Sequence, residues 1–200
     1  MGTDRAIGKR LVKFMTKNKF KYALPYLGLP IILAVFLAAH TVRLEAFTLL
    51  RLGLIIIFGY VAAIRDAKTK QIANSLVLAM LTAWAIMITP MLFLDTGAAI
   101  PLLTTSALGF AVGGGLFLLV YLISRQGLGG GDVKFMAAAG LYLGFSDTLS
   151  AMLSGTILAA LTGLALILLK KIGRKDAMPL APFLYAGILI TVFLGGVDTS

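Results

Sequence analysis

Apolar residues along this 200-residue chain fall into long runs, separated by short polar and basic stretches. Most of these runs are about 20 residues long, the length that an α-helix needs to cross the hydrocarbon core of a bilayer. The pattern therefore predicts an all-α polytopic membrane protein with about seven transmembrane helices. They are expected at residues 23–40, 46–65, 76–94, 98–123, 133–147, 149–169 and 179–197.

The fifth predicted span, residues 133–147, is short for a membrane crossing. At 1.5 Å per residue it would rise about 22 Å, against a hydrocarbon core of about 30 Å. We therefore expect thinned lipid or cover from neighbouring helices around this span. Charge supports its presence, because without it the basic loop at 170–178 would lie on the opposite side from the other basic segments.

Basic residues lie almost entirely on one side of the predicted helices. With the N-terminus inside the cell, sixteen of the eighteen Lys and Arg residues face the cytoplasm, and only Arg43 and Arg51 do not. This distribution satisfies the positive-inside rule and indicates a multi-pass protein of the cytoplasmic (inner) membrane. The cytoplasmic segments are then 1–22, 66–74, 124–133 and 170–178. Segment 1–22 has the pattern of a basic amphipathic stretch that contacts anionic lipid.

Composition agrees with a membrane protein and excludes several kinds of site. Hydrophobic residues make up 60% of the chain and charged residues only 13%. The absence of cysteine excludes disulfides, thiolate metal sites and a cysteine nucleophile, and the single histidine, His40, argues against a His-based zinc site or triad. We expect no metal or cofactor. The net charge of +10 indicates a lipid surface as partner, and no nucleic acid, because the basic residues lie in short loops.

Two aspartates stand at the cytoplasmic ends of different predicted helices. Asp66 closes the second span, and Asp132 precedes the fifth directly after a glycine-rich stretch. Ionisable groups at membrane depth are costly, so they are candidates for a functional site. Two adjacent carboxylates share a proton, which lets one act as base on a water while the other polarises a carbonyl. Taken singly, Asp66 could instead pair with neighbouring basic residues, and Asp132 could cap a helix.

Three motifs make the chain resemble the type IV prepilin peptidases, which are membrane aspartic proteases of the GxGD class. The second motif is Gly129-Gly130-Gly131-Asp132, extended by Lys134 and by Ala138-Ala139-Gly140 and Leu143-Gly144. The first motif is similar to the family's pattern of an Asp, a basic stretch and Ile-Pro-Asn, but Ala73 stands here in place of the proline. A third, Met178 to Leu184, resembles a Pro-Phe-x-Pro-Phe-Leu element. The first motif places Asp66, Lys68, Lys70, Ile72 and Asn74 at the family's positions.

The resemblance covers about residues 47–197 and implies a six-helix peptidase domain at 46–197, with an extra helix at 23–45. It implies that Asp66 and Asp132 are catalytic. It also implies cleavage of a short basic leader from prepilin-like proteins whose mature part begins with a hydrophobic helix, at the cytoplasmic membrane face. The residues expected to support the active site are Gly129, Gly131, Lys134, Lys68, Lys70, Asn74, Pro179 and Pro182.

Larger members of that family also N-methylate the new terminus through a domain with paired Cys-x-x-Cys motifs. Because this chain has no cysteine, it resembles the peptidase-only forms of Tad/Flp pili, archaeal pili and archaella, and methylation is not expected.

Two other functions remain as alternatives. Presenilin-like and signal-peptide-peptidase-like proteases also pair two aspartates and carry a Pro-Ala-Leu element, which residues 179–182 resemble loosely. Their first motif is Tyr-Asp, whereas Arg65 precedes Asp66 here. A proton-coupled transporter could also use two carboxylates at membrane depth, but transporters of that kind show internal repeats, and the sequence has none.

Overall fold

The computed structural model describes residues 28–41, 44–124, 128–171, 173 and 178–194, and all regular structure in these ranges is α-helical. The basic segment 1–22 therefore lies outside the described residues. The helices are α1 (Gly28–His40), α2 (Ala46–Thr69), α3 (Asn74–Leu94), α4 (Thr96–Ile123), α5 (Gly130–Leu143), α6 (Phe145–Leu168) and α7 (Ala181–Leu194). The all-α prediction is confirmed for this part of the chain.

Four of these helices are long and apolar enough to cross a membrane, namely α2, α3, α4 and α6. Two others, α1 and α7, are apolar but shorter. The chain divides into two compact units, residues 1–40, which contain α1, and residues 41–200, which contain α2 to α7. In the first unit the ring of Phe36 stacks on that of His40, with centroids 5.0 Å apart. The second unit contains both candidate aspartates.

Helix α5 is the buried centre of the second unit. Every residue from Phe135 to Gly144 is buried, so neighbouring helices cover the short fifth span, as its length required. Helix α5 makes its most extensive contacts with α4. A Cβ on Gly140 would overlap the backbone of Gly109, and a Cβ on Gly109 would overlap the backbone of Gly140. Only glycine allows two helices to approach this closely. The buried hydroxyl of Tyr142 donates to the Met80 carbonyl of α3 at 2.6 Å.

Helix α7 packs on both α6 and α2. A Cβ on Gly59 of α2 would lie 2.6 Å from Cδ2 of Tyr185, so the missing side chain makes room for the tyrosine ring. The ring of Tyr185 also meets that of Tyr60 edge-on at 6.0 Å. These contacts fix α7 against the second half of α2, and the first residues of α7 thereby reach the end of α2 at Asp66.

The boundary predicted between the fifth and sixth spans was wrong. The prediction placed residues 145–147 in the fifth span, whereas α5 ends at Leu143 and α6 begins at Phe145. Gly144 alone separates the two helices, with φ +81°. That conformation, in which ψ is −175°, is accessible to glycine at little cost and ends the helix. Hydropathy misplaced this break, because the polar residues Ser146, Asp147 and Thr148 lie in the first turn of α6 and not between the two helices.

Candidate active site

Asp66 and Asp132 line the same cavity, of about 220 Å³, at one end of the second unit. Asp66 lies in the last turn of α2 and Asp132 in the first turn of α5. Both side chains are buried, with 5% and 8% of their surface exposed. Burying even one carboxylate is costly, and this cavity buries two, which come from separate helices.

The carboxylate of Asp66 is held by the start of α7. Its Oδ2 accepts a hydrogen bond of 2.9 Å from the backbone N–H of Ala181, which is 115 residues further along the chain. The first N–H groups of a helix have no partner within the helix, and a helix N-terminus favours a negative charge. Pro182 follows in the first turn, where the missing N–H of proline costs nothing. Asp66 therefore occupies the position that a capping side chain would take.

The chain turns sharply after Asp66. The N–H of Lys70 donates to the Asp66 carbonyl at 2.7 Å, and Lys70 adopts a left-handed conformation with φ 52°. This conformation is unusual for a residue with a side chain, and it ends α2 one turn after the aspartate. The residues that follow lie outside any helix and place Gln71 and buried Ile72 on the cavity wall.

The glycines before Asp132 differ in what surrounds them. A Cβ on Gly129 would lie 2.8 Å from Oδ2 of Asp132, and one on Gly131 would lie 3.1 Å from the Cβ of Ile72. A Cβ on Gly130 would meet nothing within 4 Å. Gly129 thus leaves room for the carboxylate itself, and Gly131 lets α5 approach the end of the first motif. Gly130 fills the variable position of the GxGD pattern.

Asp132 lies in an environment that favours its protonated form. Asp132 directly precedes the predicted fifth span. Burial, together with the negative charge of Asp66, raises the pKa of Asp132 to about 6. Its backbone N–H donates to the Gly129 carbonyl at 3.0 Å. The buried Oδ1 has no hydrogen-bond partner among the described residues. A buried carboxyl oxygen without a partner is costly, and a water or a substrate carbonyl could satisfy it.

The family is decided by the comparison with known proteins. A model of the type IV leader peptidase family matches residues 53–168, a range that covers more than half of the chain and contains both aspartates. The chain belongs to the type IV leader peptidase family.

Curated relatives match over a smaller region. The chain is 34% identical over 86 residues to the prepilin leader peptidase/N-methyltransferase of Bacillus subtilis (strain 168). This aligned region covers 42% of this chain and 35% of that protein. Over 80 residues it is 32% identical to the protein of the same name from Burkholderia pseudomallei (strain 1026b), covering 40% and 26%. The match therefore spans about a third or less of each relative's length. No solved structure matches the chain.

The other predicted support residues lie at different distances from the two carboxylates. Lys70, Gly129 and Gly131 line the cavity. Exposed Lys134 instead donates from Nζ to Oδ1 of Asn74 at 3.1 Å, which joins the first turn of α5 to the start of α3. Lys68 is exposed in the last turn of α2. Pro179 and Pro182 flank Ala181 in the chain and are half-buried.

Sequence reasoning did not single out Ala181 or Gln71. Gln71 lines the cavity, and Ala181 contributes through its backbone N–H, which carries no residue-specific signal. Pro182 was the one sign of this donor in the sequence. Proline favours the first turn of a helix, and the first turn has N–H groups without partners in the helix. Among the described residues, no group of three or more His, Cys, Asp or Glu side chains could hold a metal ion.

Proposed function

We propose that this member of the family is an aspartic endopeptidase that removes the short leader from prepilin-like proteins. The observation that carries the proposal is the single cavity lined by two buried carboxylates from separate helices, Asp66 and Asp132. The peptidase unit would correspond to residues 46–197. Its relatives are named as prepilin leader peptidases, which supports a prepilin-like substrate whose mature part starts with a hydrophobic helix.

The two aspartates take different roles in the proposed reaction. Asp66 is the base, because the N–H of Ala181 and the N-terminus of α7 stabilise negative charge on its carboxylate. Asp132 is the acid, because burial and the charge of Asp66 raise its pKa to about 6 and so favour its protonated form. Such a pair works when one carboxyl is charged and the other is neutral.

The reaction then proceeds through a tetrahedral intermediate. Asp66 takes a proton from a water, and the oxygen of that water attacks the scissile carbonyl carbon. Asp132 gives its proton to the carbonyl oxygen, so that no full negative charge develops there. When the intermediate collapses, the C–N bond breaks and the proton held by Asp66 passes to the leaving amine. The new acid transfers its proton back to Asp132, which restores the starting state.

The basic loops support a position of this site at the cytoplasmic membrane face. Arg65, Lys68 and Lys70 surround the end of α2, and the distribution of Lys and Arg along the chain favours the cytoplasm for that end. We further propose that these residues contact anionic lipid headgroups beside the site, and that the substrate helix stays in the bilayer while its leader enters the cavity.

N-methylation of the product is not part of the proposed function. The names of the relatives include an N-methyltransferase activity, whereas the cysteine pairs expected of a methylating member are missing from this chain.

The test is a cleavage assay with protein purified into lipid. A prepilin-like substrate is supplied with and without S-adenosylmethionine, and the mass of the product terminus is measured. We expect one cut before the hydrophobic helix and no added methyl group. Protein that moves protons or solutes across the vesicle but never cuts the substrate would show a transporter, and a cut within the hydrophobic helix would show a presenilin-like protease.

A further inference from the structure

The wall that α5 contributes to the cavity of the two aspartates consists largely of peptide groups. Gly129, Gly130 and Gly131 line that cavity, and a glycine has only backbone atoms with which to line it. Gly130 and Gly131 are the first two residues of α5. The first N–H groups of a helix have no partner within the helix. The cavity is therefore lined by residues whose backbone donors α5 itself does not use.

The donors on either side of this pair are engaged with one another's residues. The N–H of Asp132 donates to the Gly129 carbonyl at 3.0 Å, and the N–H of Gly129 interacts with the carboxylate of Asp132. A Cβ on Gly129 would lie only 2.8 Å from Oδ2 of that carboxylate. The Asp132 side chain thus turns back toward the start of α5, so that the acid and the N–H of Gly130 lie at the same end of the helix.

Gly130 is the residue of this pair that a substrate can reach more easily. It is exposed, and a Cβ built on it would meet nothing within 4 Å, whereas Ile72 packs against Gly131. In the same cavity, the buried Oδ1 of Asp132 has no hydrogen-bond partner among the described residues. A carbonyl oxygen has two lone pairs, so one such oxygen can accept from protonated Asp132 and from a backbone N–H together.

The charge at this end of α5 suits an oxygen that becomes negative during a reaction. A helix N-terminus favours negative charge. Burial and the charge of Asp66 nevertheless raise the pKa of Asp132 and favour its neutral form. With Asp132 neutral, the positive end of α5 can stabilise a negative charge that the reaction itself creates.

We infer that the backbone N–H of Gly130 donates to the scissile carbonyl oxygen and stabilises the negative charge that develops on it. The inference rests on the proposed peptidase function and adds one donor to its mechanism. Asp132 and the Gly130 N–H bind the two lone pairs of the same oxygen. The helix holds its donor in place before the substrate arrives, and the hydrogen bond strengthens as the oxygen gains charge, so this contact favours the transition state over the bound substrate.

The test removes this one donor. Gly130→Pro lacks the N–H, and the first position of α5 accommodates proline because its Cβ side is open and Gly129 before it is extended, with ψ 135°. Gly130→Ala is the matched variant, because it adds a Cβ and keeps the N–H. With a prepilin-like substrate and protein in lipid, kcat should be about 10- to 100-fold lower for the proline variant than for the alanine variant, and KM should be nearly equal.

Equal kcat values for the two variants would overturn the inference and leave the proposed peptidase function intact. Wild-type protein that never cuts the substrate would instead refute that function, and the inference with it.

A second measurement does not depend on the folding of the proline variant. In wild-type protein made with isotope-labelled glycine, the N–H signal of Gly130 in a nuclear magnetic resonance spectrum is the one that Gly130→Ala lacks. A phosphinate analogue of the cut site carries a tetrahedral, negatively charged centre and should move this proton signal downfield. An unchanged signal at saturating analogue would overturn the inference.

Discussion

The two cavities at the ends of α2 both hold buried charge, but they combine it in opposite ways. At the Asp66 end two carboxylates share a cavity of about 220 Å³, and the start of α7 places a backbone donor against Asp66. At the Arg51 end, near the start of α2, one cation shares a cavity of about 510 Å³ with carboxylates of opposite sign. Opposite charges can neutralise each other, whereas like charges can coexist only if one of them takes up a proton.

By that difference the first cavity is suited to proton transfer, as in the proposed reaction, whereas the second is suited to binding a charged group. The asymmetry between Asp66 and Asp132 is what makes the first cavity suited to acid–base chemistry. The second cavity has an apolar wall and a mixed charge, with Arg51 among the acids Glu45 and Asp147. Substitutions at the two ends should therefore affect different properties of the protein.

The largest effect is expected from removing either acid of the pair. Asp66→Asn and Asp132→Asn should each reduce cleavage by roughly 10²–10⁴-fold, because asparagine keeps the shape of the side chain but transfers no proton. The control is Asp95→Asn at the start of α4, where Oδ1 accepts from the Ala98 N–H and asparagine caps a helix equally well. Initial rates of prepilin cleavage measure the effect. Full activity in either active-site variant would remove that residue from the mechanism.

A smaller loss is expected from removing the backbone donor to Asp66. Ala181→Pro deletes one N–H in the first turn of α7, where proline is well tolerated. A hydrogen bond to a charged group contributes about 1.5–3 kcal/mol, so cleavage should fall about 10- to 100-fold. Ala181→Gly keeps the donor and serves as the control. Equal rates for the two variants would show that the Ala181 N–H does not hold the base.

The glycines before Asp132 should differ in their sensitivity. Gly129→Ala places a methyl group 2.8 Å from Oδ2 of Asp132, which should turn the carboxylate and lower the rate by about tenfold, or 1.4 kcal/mol. Gly130→Ala meets nothing within 4 Å and should retain the wild-type rate. The comparison of the two variants is the measurement, and equal losses in both would contradict the assigned role of Gly129.

The smallest effect concerns stability and its dependence on pH. The raised pKa of Asp132 means that its contribution to stability is fully present below the unfolded-state pKa of about 3.8 and is lost as pH rises through about 6. Asp132→Asn removes this loss, so at pH 8 the variant should unfold several degrees above wild type. The difference should disappear near pH 4, as thermal unfolding in detergent at both pH values would show. A variant less stable than wild type at pH 8 would contradict the account.

The sequence predicted the fold class and the two acids because both depend on strong local signals. Apolar length identified the helices, and the Gly129–Asp132 pattern identified one side of the site. The donor from Ala181 was not predictable in this way, since any residue except proline carries the same N–H and only tertiary packing brings it to Asp66. The break at Gly144 was missed for a different reason: the polar residues that follow it, Ser146 to Thr148, form the first turn of α6 and not a loop.

The most direct test of the account is the pH dependence of prepilin cleavage by wild-type protein in lipid, measured with and without a chelator. A bell-shaped rate is expected, because acidification removes the base by protonation, whereas the alkaline side removes the proton from Asp132, whose pKa is about 6. The chelator should have no effect. A rate that rises and stays level to pH 9, or cleavage that stops when the chelator is added, would contradict the shared-proton pair.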